Sequence, residues 1–201
     1  MPLVSGLLDF GLSVVCLVIA VASTRTKNDF FFAGMIWIAA AALFGAFNLG
    51  GFSQFAPAHG WLSDVAGGPG MLSLTVGVLA ALYGPWQWSR WGAVTLAIAG
   101  AASIALLQDS PILDTYRTLL GVTLLVALLL LAWYASREGR SRTVATAVAA
   151  VVLFLFVAFG LGLLPLSSEG VIRRVDVVHI LLAASYTFVW MSVRAMSRQV
   201  S

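Results

Sequence analysis

Asp9, Asp176 and His179 are ionisable residues that stand inside, or at the start of, otherwise apolar stretches of this sequence. Asp176 and His179 are three residues apart, a spacing that places both side chains on one face of a helix. There a carboxylate can orient an imidazole and stabilise its charged form, as general bases and metal ligands often require. Asp9 lies roughly 9 Å along its apolar stretch at 1.5 Å per residue. These three residues are the candidate catalytic residues if the protein is an enzyme.

Each of these three side chains could also have a purely structural role. A protonated or hydrogen-bonded Asp9 could tie two helices together. An aspartate such as Asp176 is favoured in a first helical turn by the helix dipole. A histidine near the end of an apolar stretch, such as His179, commonly has only a hydrogen-bonding role.

The composition identifies lipid as the solvent of this protein. Of the 201 residues, 61% are hydrophobic and 9% are charged, and the mean hydropathy is +1.00. Soluble domains contain about 25% charged residues, so the composition excludes a cytosolic enzyme and a disordered chain. The 11 Lys and Arg residues are scattered, which argues against a nucleic-acid partner. One cysteine, Cys16, excludes an internal disulfide, and one lysine, Lys27 in a polar linker, excludes a retinal-type Schiff base within a helix.

Seven apolar stretches are long enough to cross a membrane as helices, which requires about 20 residues each. The sequence therefore predicts an all-α fold with a single seven-helix transmembrane domain over residues 1–201. The segment 53–69 is rich in glycine and proline and is predicted to form an external loop. The predicted spans are 3–23, 30–52, 70–86, 91–108, 115–135, 143–164 and 175–193.

The distribution of basic residues predicts the orientation of this bundle, because cytoplasmic segments carry an excess of Lys and Arg. Eight basic residues fall on one side and three on the other. The first group is Arg25, Lys27, Arg90, Arg137, Arg140, Arg142, Arg194 and Arg198, and the second is Arg117, Arg173 and Arg174. We therefore expect the N-terminus outside and the C-terminus in the cytoplasm.

Polar residues of the outer side predict a pocket there. We expect Asp9, Asn48, Asp176 and His179 to converge beneath the 53–69 loop, because spans one, two and seven all present polar side chains within about two or three turns of the outer surface. The predicted substrate-binding residues are Asn48, His59, Trp61 and Asp64.

Three short motifs carry a resemblance to a known family. They are LDF at 8–10, FGAFNLG at 44–50 and VDVVHI at 175–180. Together they resemble a bacterial branch of the CREST superfamily, the seven-helix membrane proteins that include alkaline ceramidases and progestin and adipoQ receptors. The resemblance implies a multi-pass protein of the bacterial inner membrane and a zinc-dependent amide hydrolase. Its zinc ligands would be a histidine ending span two, an aspartate near span three and two histidines opening span seven.

The sequence departs from this pattern at the metal ligands. Asn48 stands where the span-two histidine belongs, and Val175 replaces the first histidine of span seven. His179 and Asp64 remain, and His59 could add a contact from the loop. Neutral Asn is a poor substitute for imidazole, and zinc needs three or four ligands held close together. We therefore expect no metal site and no cofactor, with zinc as the alternative.

The missing ligands favour a non-catalytic protein that binds a membrane lipid or serves as an accessory subunit of a membrane complex. A membrane-embedded lipid amide or ester hydrolase is the alternative from the resemblance. A proton-coupled transporter is a further alternative, in which Asp9 relays protons. The expected partners are membrane lipid and other membrane-protein subunits.

Overall fold

The computed structural model describes residues 2–83, 89–108, 110–160 and 174–197. Every regular element in this part of the chain is helical, which confirms the predicted all-α class. The longer helices are α1 (Pro2–Thr24), α2 (Asp29–Leu49), α3 (Ala56–Val65), α4 (Met71–Tyr83), α5 (Ser89–Leu107), α6 (Ile112–Arg137), α7 (Ser141–Phe159) and α8 (Arg174–Ser197). A 3₁₀ turn, Ser53–Phe55, precedes α3, and a π-helical turn, Ala66–Gly70, joins α3 to α4.

Seven helical segments of the described chain are long and apolar enough to cross a membrane, as predicted. They are Val4–Thr24, Asp29–Leu49, Ser53–Tyr83, Arg90–Leu107, Ile112–Arg137, Ser141–Phe159 and Arg174–Ser197. The predicted span ends at 86 and 164, and the counted Arg173 and Arg198, lie outside the described residues.

The prediction of an external loop at 53–69 is wrong. This segment is helical and continues into α4, so that the third span runs over Ser53–Tyr83. Pro69 lies inside the helix, where a proline removes one backbone hydrogen bond and clashes with the preceding turn. The wider π turn accommodates it, and the proline ring packs on α5 at Gly100, where a Cβ atom would lie 2.6 Å from Pro69 Cγ. Tertiary packing therefore keeps helical a segment whose composition is typical of a loop.

The core lies between α2 and the helices that surround it. α2 packs against α1, α3, α4 and α5, and α8 closes the bundle against α1 and α7. Its apolar centre is fully buried and includes Phe31, Met35, Leu74, Leu128 and Val189.

Polar side chains join the helices inside this core. Asn28 accepts a hydrogen bond from Phe31 N at the start of α2 and donates one to Gly77 O of α4, at 2.8 Å. Ser13 of α1 donates to Ala39 O of α2 at 2.9 Å. In lipid such bonds and close packing hold helices together, because the hydrophobic effect does not.

The bundle has two ends, which are named here after Asp9 and Lys27. The Asp9 end holds the beginnings of α1 and α8 and the end of α2. The Lys27 end holds the end of α1 and the beginnings of α2, α5 and α7. These two ends would face opposite sides of a membrane if each of the seven segments crossed it once.

Candidate functional site

A carboxylate and an imidazole from two helices meet at the Asp9 end. Oδ1 of Asp9, on α1, lies 2.8 Å from Nδ1 of His179, on α8. The carboxylate side chain is 2% exposed and the imidazole 16%. Nδ1 is not directed at the oxygen, and within the described ranges neither atom has a hydrogen-bond partner. When the imidazole is protonated, this contact is an ion pair in which a buried acid lies behind a more accessible base.

A second polar contact lies one helical turn nearer the helix ends. Ser5 donates a hydrogen bond through Oγ to Oδ1 of Asp176, and both side chains are buried. Ser5 and Asp9 are four residues apart on α1, while Asp176 and His179 are three apart on α8, so each pair shares a helix face. The α1–α8 interface consequently carries two successive polar contacts. The partner of the His179 imidazole in the ion pair comes from another helix, rather than from the neighbouring turn of α8.

His59 approaches the same carboxylate from α3. Its Nδ1 lies 3.0 Å from the carbonyl oxygen of Ala41 on α2, and Ser63 Oγ lies 3.5 Å from the same nitrogen. Gly45 of α2 separates the imidazole from Asp9. A Cβ atom at Gly45 would lie 2.9 Å from His59 Cε1 and closer still to Asp9 Oδ2. The missing side chain at Gly45 is what lets Asp9 and His59 approach each other.

The sequence offers a weak signal for Gly45. A glycine within a predicted helix costs about 1 kcal/mol relative to alanine, so its presence suggests a close approach of neighbouring groups. Which neighbours approach it depends on helix rotation, which the sequence does not specify.

The other predicted substrate-binding residues lie around this cluster without joining it. Asn48 is partly buried three residues beyond Gly45 on α2. Trp61 packs edge-on against Trp37, with ring centroids 6.2 Å apart. Asp64 accepts a hydrogen bond from Nη1 of Arg117, on α6, at 2.8 Å. Trp61 and Asp64 thus have structural partners of their own.

The cluster does not fit the zinc site that the resemblance implies. Across the described residues, no group of three or more His, Cys, Asp or Glu side chains is placed to hold a metal ion. Asp9 Oδ1 lies 2.8 Å from His179 Nδ1, and His59 Nδ1 lies 3.0 Å from the Ala41 carbonyl oxygen instead. A tight zinc site needs at least three ligand atoms directed at one point. We therefore derive no chemical step through a metal.

The described helices and this cluster define a class of protein, a helical bundle with seven segments long and apolar enough to cross a membrane and a buried carboxylate–imidazole pair at one end. The chain belongs to a family of unknown function (DUF6962), whose model matches residues 4–198. No curated protein and no solved structure matches it.

Proposed function

We propose that the protein spans the bacterial inner membrane with its N-terminus outside, so that the Asp9 end faces the outer leaflet. The support is the excess of basic residues on the opposite side, eight against three. Cysteine labelling in intact cells tests this orientation. A cysteine at the exposed Gln54 should react with an impermeant thiol reagent, and one at the exposed Ser141 should not. The native Cys16 is fully buried and gives a low background; the reverse labelling pattern would overturn the orientation.

We propose that the protein is a membrane-embedded hydrolase of a lipid ester or amide, with His179 as its general base. The observation that carries this proposal is the 2.8 Å contact between Asp9 Oδ1 and His179 Nδ1. An ionised carboxylate inside a membrane segment is unfavourable by about 2.5 kcal/mol or more unless it is paired. Such a residue is therefore a candidate for a functional role.

The proposed chemistry uses the imidazole as a proton carrier. His179 takes a proton from water through Nε2, the ring nitrogen remote from Asp9, while the resulting hydroxide attacks the lipid carbonyl. The Asp9 carboxylate stabilises the imidazolium and fixes the tautomer. The imidazolium then returns the proton to the leaving alcohol or amine. Poor alignment of the pair without substrate is common in catalytic dyads and tightens in the complex.

Lipid turnover in nanodiscs tests this proposal. Purified protein in phosphatidylethanolamine and phosphatidylglycerol should release fatty acid, measured by mass spectrometry. His179→Gln and Asp9→Asn should each lower release by about 100-fold or more, since that is the usual contribution of general base catalysis. Asp114→Asn is the matched control, because this side chain is 93% exposed at the same end and loses the same charge.

Release is normalised to the folded fraction, so that a destabilised variant is not counted as inactive. Equal release from the wild type and His179→Gln, or no release from either, would overturn the hydrolase proposal.

A second proposal is the non-catalytic lipid-binding protein or accessory subunit. The observation that favours it is the tight packing around Asp9, where Gly45 leaves no room even for a methyl group. A binding site needs shape and a few polar contacts, but no reacting water. Under this proposal no lipid is hydrolysed, a lipid co-purifies with the protein, and His179→Gln leaves the amount of that lipid unchanged.

A further inference from the structure

An open groove lies between α2 and α5 at the Lys27 end, away from the proposed catalytic site. Its volume is about 740 Å³. Ile36 and Trp37 of α2 and Val94 and Ala97 of α5 form apolar walls. From Asp29 to Trp37 the groove follows α2 for about 12 Å at 1.5 Å per residue. It is long and apolar enough to hold part of a hydrocarbon chain.

Charged side chains surround the mouth of this groove. Lys27 and Arg90 are exposed, and Asp29 is partly buried. These lining residues are two cations and one carboxylate, so their summed charge is positive. The mouth lies where α1 ends and where α2 and α5 begin, at the level expected for lipid headgroups. Its charge and position complement a lipid phosphate.

The backbone at Lys27 is a second observation that points to this mouth. Lys27 has φ +52°, in the left-handed region. Lys27 N donates to Thr24 O, and Asn28 N to Ser23 O, which is the Schellman arrangement that ends a helix. The same arrangement ends α6, where Gly139 holds the left-handed position with φ +70°. Glycine is the usual residue there, and a strained side chain at such a position suggests a function for it.

A second cavity adjoins the first at Arg90. Its volume is about 460 Å³, and it is lined by Arg90, Trp91 and Val94. Arg90 and Val94 therefore line both cavities, so that one basic residue borders two largely apolar cavities. A two-chain amphiphile with a phosphate between its chains matches this arrangement.

We propose that this groove binds an anionic phospholipid from the leaflet at the Lys27 end. Arg90 and Lys27 hold the phosphate, the guanidinium through paired N–H donors. One acyl chain lies along Ile36 and Val94, and the second lies against Trp91. The net positive mouth selects phosphatidylglycerol over phosphatidylcholine.

Native mass spectrometry of the delipidated protein tests this site. With added phosphatidylglycerol, the wild type should retain one lipid more tightly than with phosphatidylcholine. Lys27→Ala with Arg90→Ala should weaken phosphatidylglycerol binding by about tenfold or more, because each basic group near a membrane surface contributes to anionic lipid binding. Arg137→Ala with Arg142→Ala is the matched control. Both of these residues are exposed at the same end, outside the groove, and binding should stay unchanged.

Quenching of tryptophan fluorescence locates the acyl chain independently. Phosphatidylglycerol with brominated chains should quench the wild type more than Trp37→Phe, and inorganic phosphate should not prevent this quenching. Equal affinity in the two double variants, equal quenching in the wild type and Trp37→Phe, or displacement of the lipid by inorganic phosphate would each overturn the proposal.

Discussion

The two ends of the bundle differ in the burial of their charged side chains. At the Asp9 end, the carboxylates of Asp9 and Asp176 are buried and have partners within the protein, Asp9 in His179 and Asp176 in Ser5. At the Lys27 end, Lys27 and Arg90 are exposed beside an open groove. A charge at membrane depth must be neutralised or paired. Substitutions at the Asp9 end should therefore change the stability of the protein itself, whereas those around the groove should change ligand binding.

The largest expected effect is that of His179→Ala. This change leaves the Asp9 carboxylate, 2% exposed, without its ionic partner. Removing one member of a buried pair costs about 3 kcal/mol or more. Asp9→Ala should cost less, because the imidazole that it leaves without a partner is more exposed, at 16%, than the carboxylate. Unfolding free energies of both variants in one detergent measure the asymmetry.

The double variant provides the control for this pair. With both groups removed, neither member of the pair is left without its partner, and the loss should be smaller than the sum of the two single losses. Additive losses, or a larger loss for Asp9→Ala than for His179→Ala, would contradict an ion pair with a buried acid.

Gly45→Ala should have the next largest effect. The new Cβ atom would lie within 3.0 Å of both the Asp9 carboxylate and the His59 ring. Overpacking a filled interior costs about 1 to 3 kcal/mol, so the unfolding midpoint should fall. Activity should fall with it, since the carboxylate must move. Gly11→Ala on α1 is the control, because nothing lies within 4 Å of its Cβ position, and it should be neutral or stabilising by about 1 kcal/mol. Equal effects of the two substitutions would mean that the polar cluster is loosely packed.

The seven spans could be predicted from the sequence because each depends only on a long apolar run. The placement of Asp9, Asp176 and His179 at one end followed from the alternating direction of the spans. The extension of the third span back to Ser53 could not be predicted, because the prolines and glycines of residues 53–70 favour turns in local sequence. The contact between Pro69 and α5 at Gly100 joins residues far apart in the chain, and it outweighs that local preference.

The pairing within the cluster depends on helix rotation rather than on spacing. On sequence, Asp176 is the natural partner of His179, since the two share a helix face. In the folded protein the ion pair of His179 is with Asp9, and Asp176 binds Ser5. Helix rotation is set by packing across the bundle, as at Gly45, so a single sequence does not reveal it. The residue types were therefore predictable, and the contacts between them were not.

Exchanging the left-handed residues at the ends of α1 and α6, Lys27 and Gly139, should change the unfolding free energy by less than Gly45→Ala does. Lys27→Gly relieves a left-handed side chain that costs about 1 to 2 kcal/mol, partly offset by the greater freedom of glycine in the unfolded chain. We expect a gain of roughly 0.5 to 1 kcal/mol in unfolding free energy. Gly139→Lys should lose a similar amount, because Gly139 has φ +70°. If Lys27→Gly instead lowered the unfolding free energy of the delipidated protein, Lys27 would not have the strained backbone that its left-handed conformation implies.

The smallest effect is expected for the ion pair between Asp64 and Arg117. It lies at the same end as Asp9, but its side chains are 20% and 38% exposed. Exposed pairs contribute about 0.2 to 1 kcal/mol, and salt screens them. Asp64→Asn should therefore lower the unfolding free energy by less than about 1 kcal/mol, and 1 M salt should remove most of the difference. The buried Asp9–His179 pair should keep its contribution in the same salt, since ions cannot reach it. Comparing Asp64→Asn with His179→Ala at low and high salt distinguishes the effect of burial from that of position in the bundle. Equal salt sensitivity of the two variants would show that the Asp9 end is open to water and would remove the contrast between the two ends.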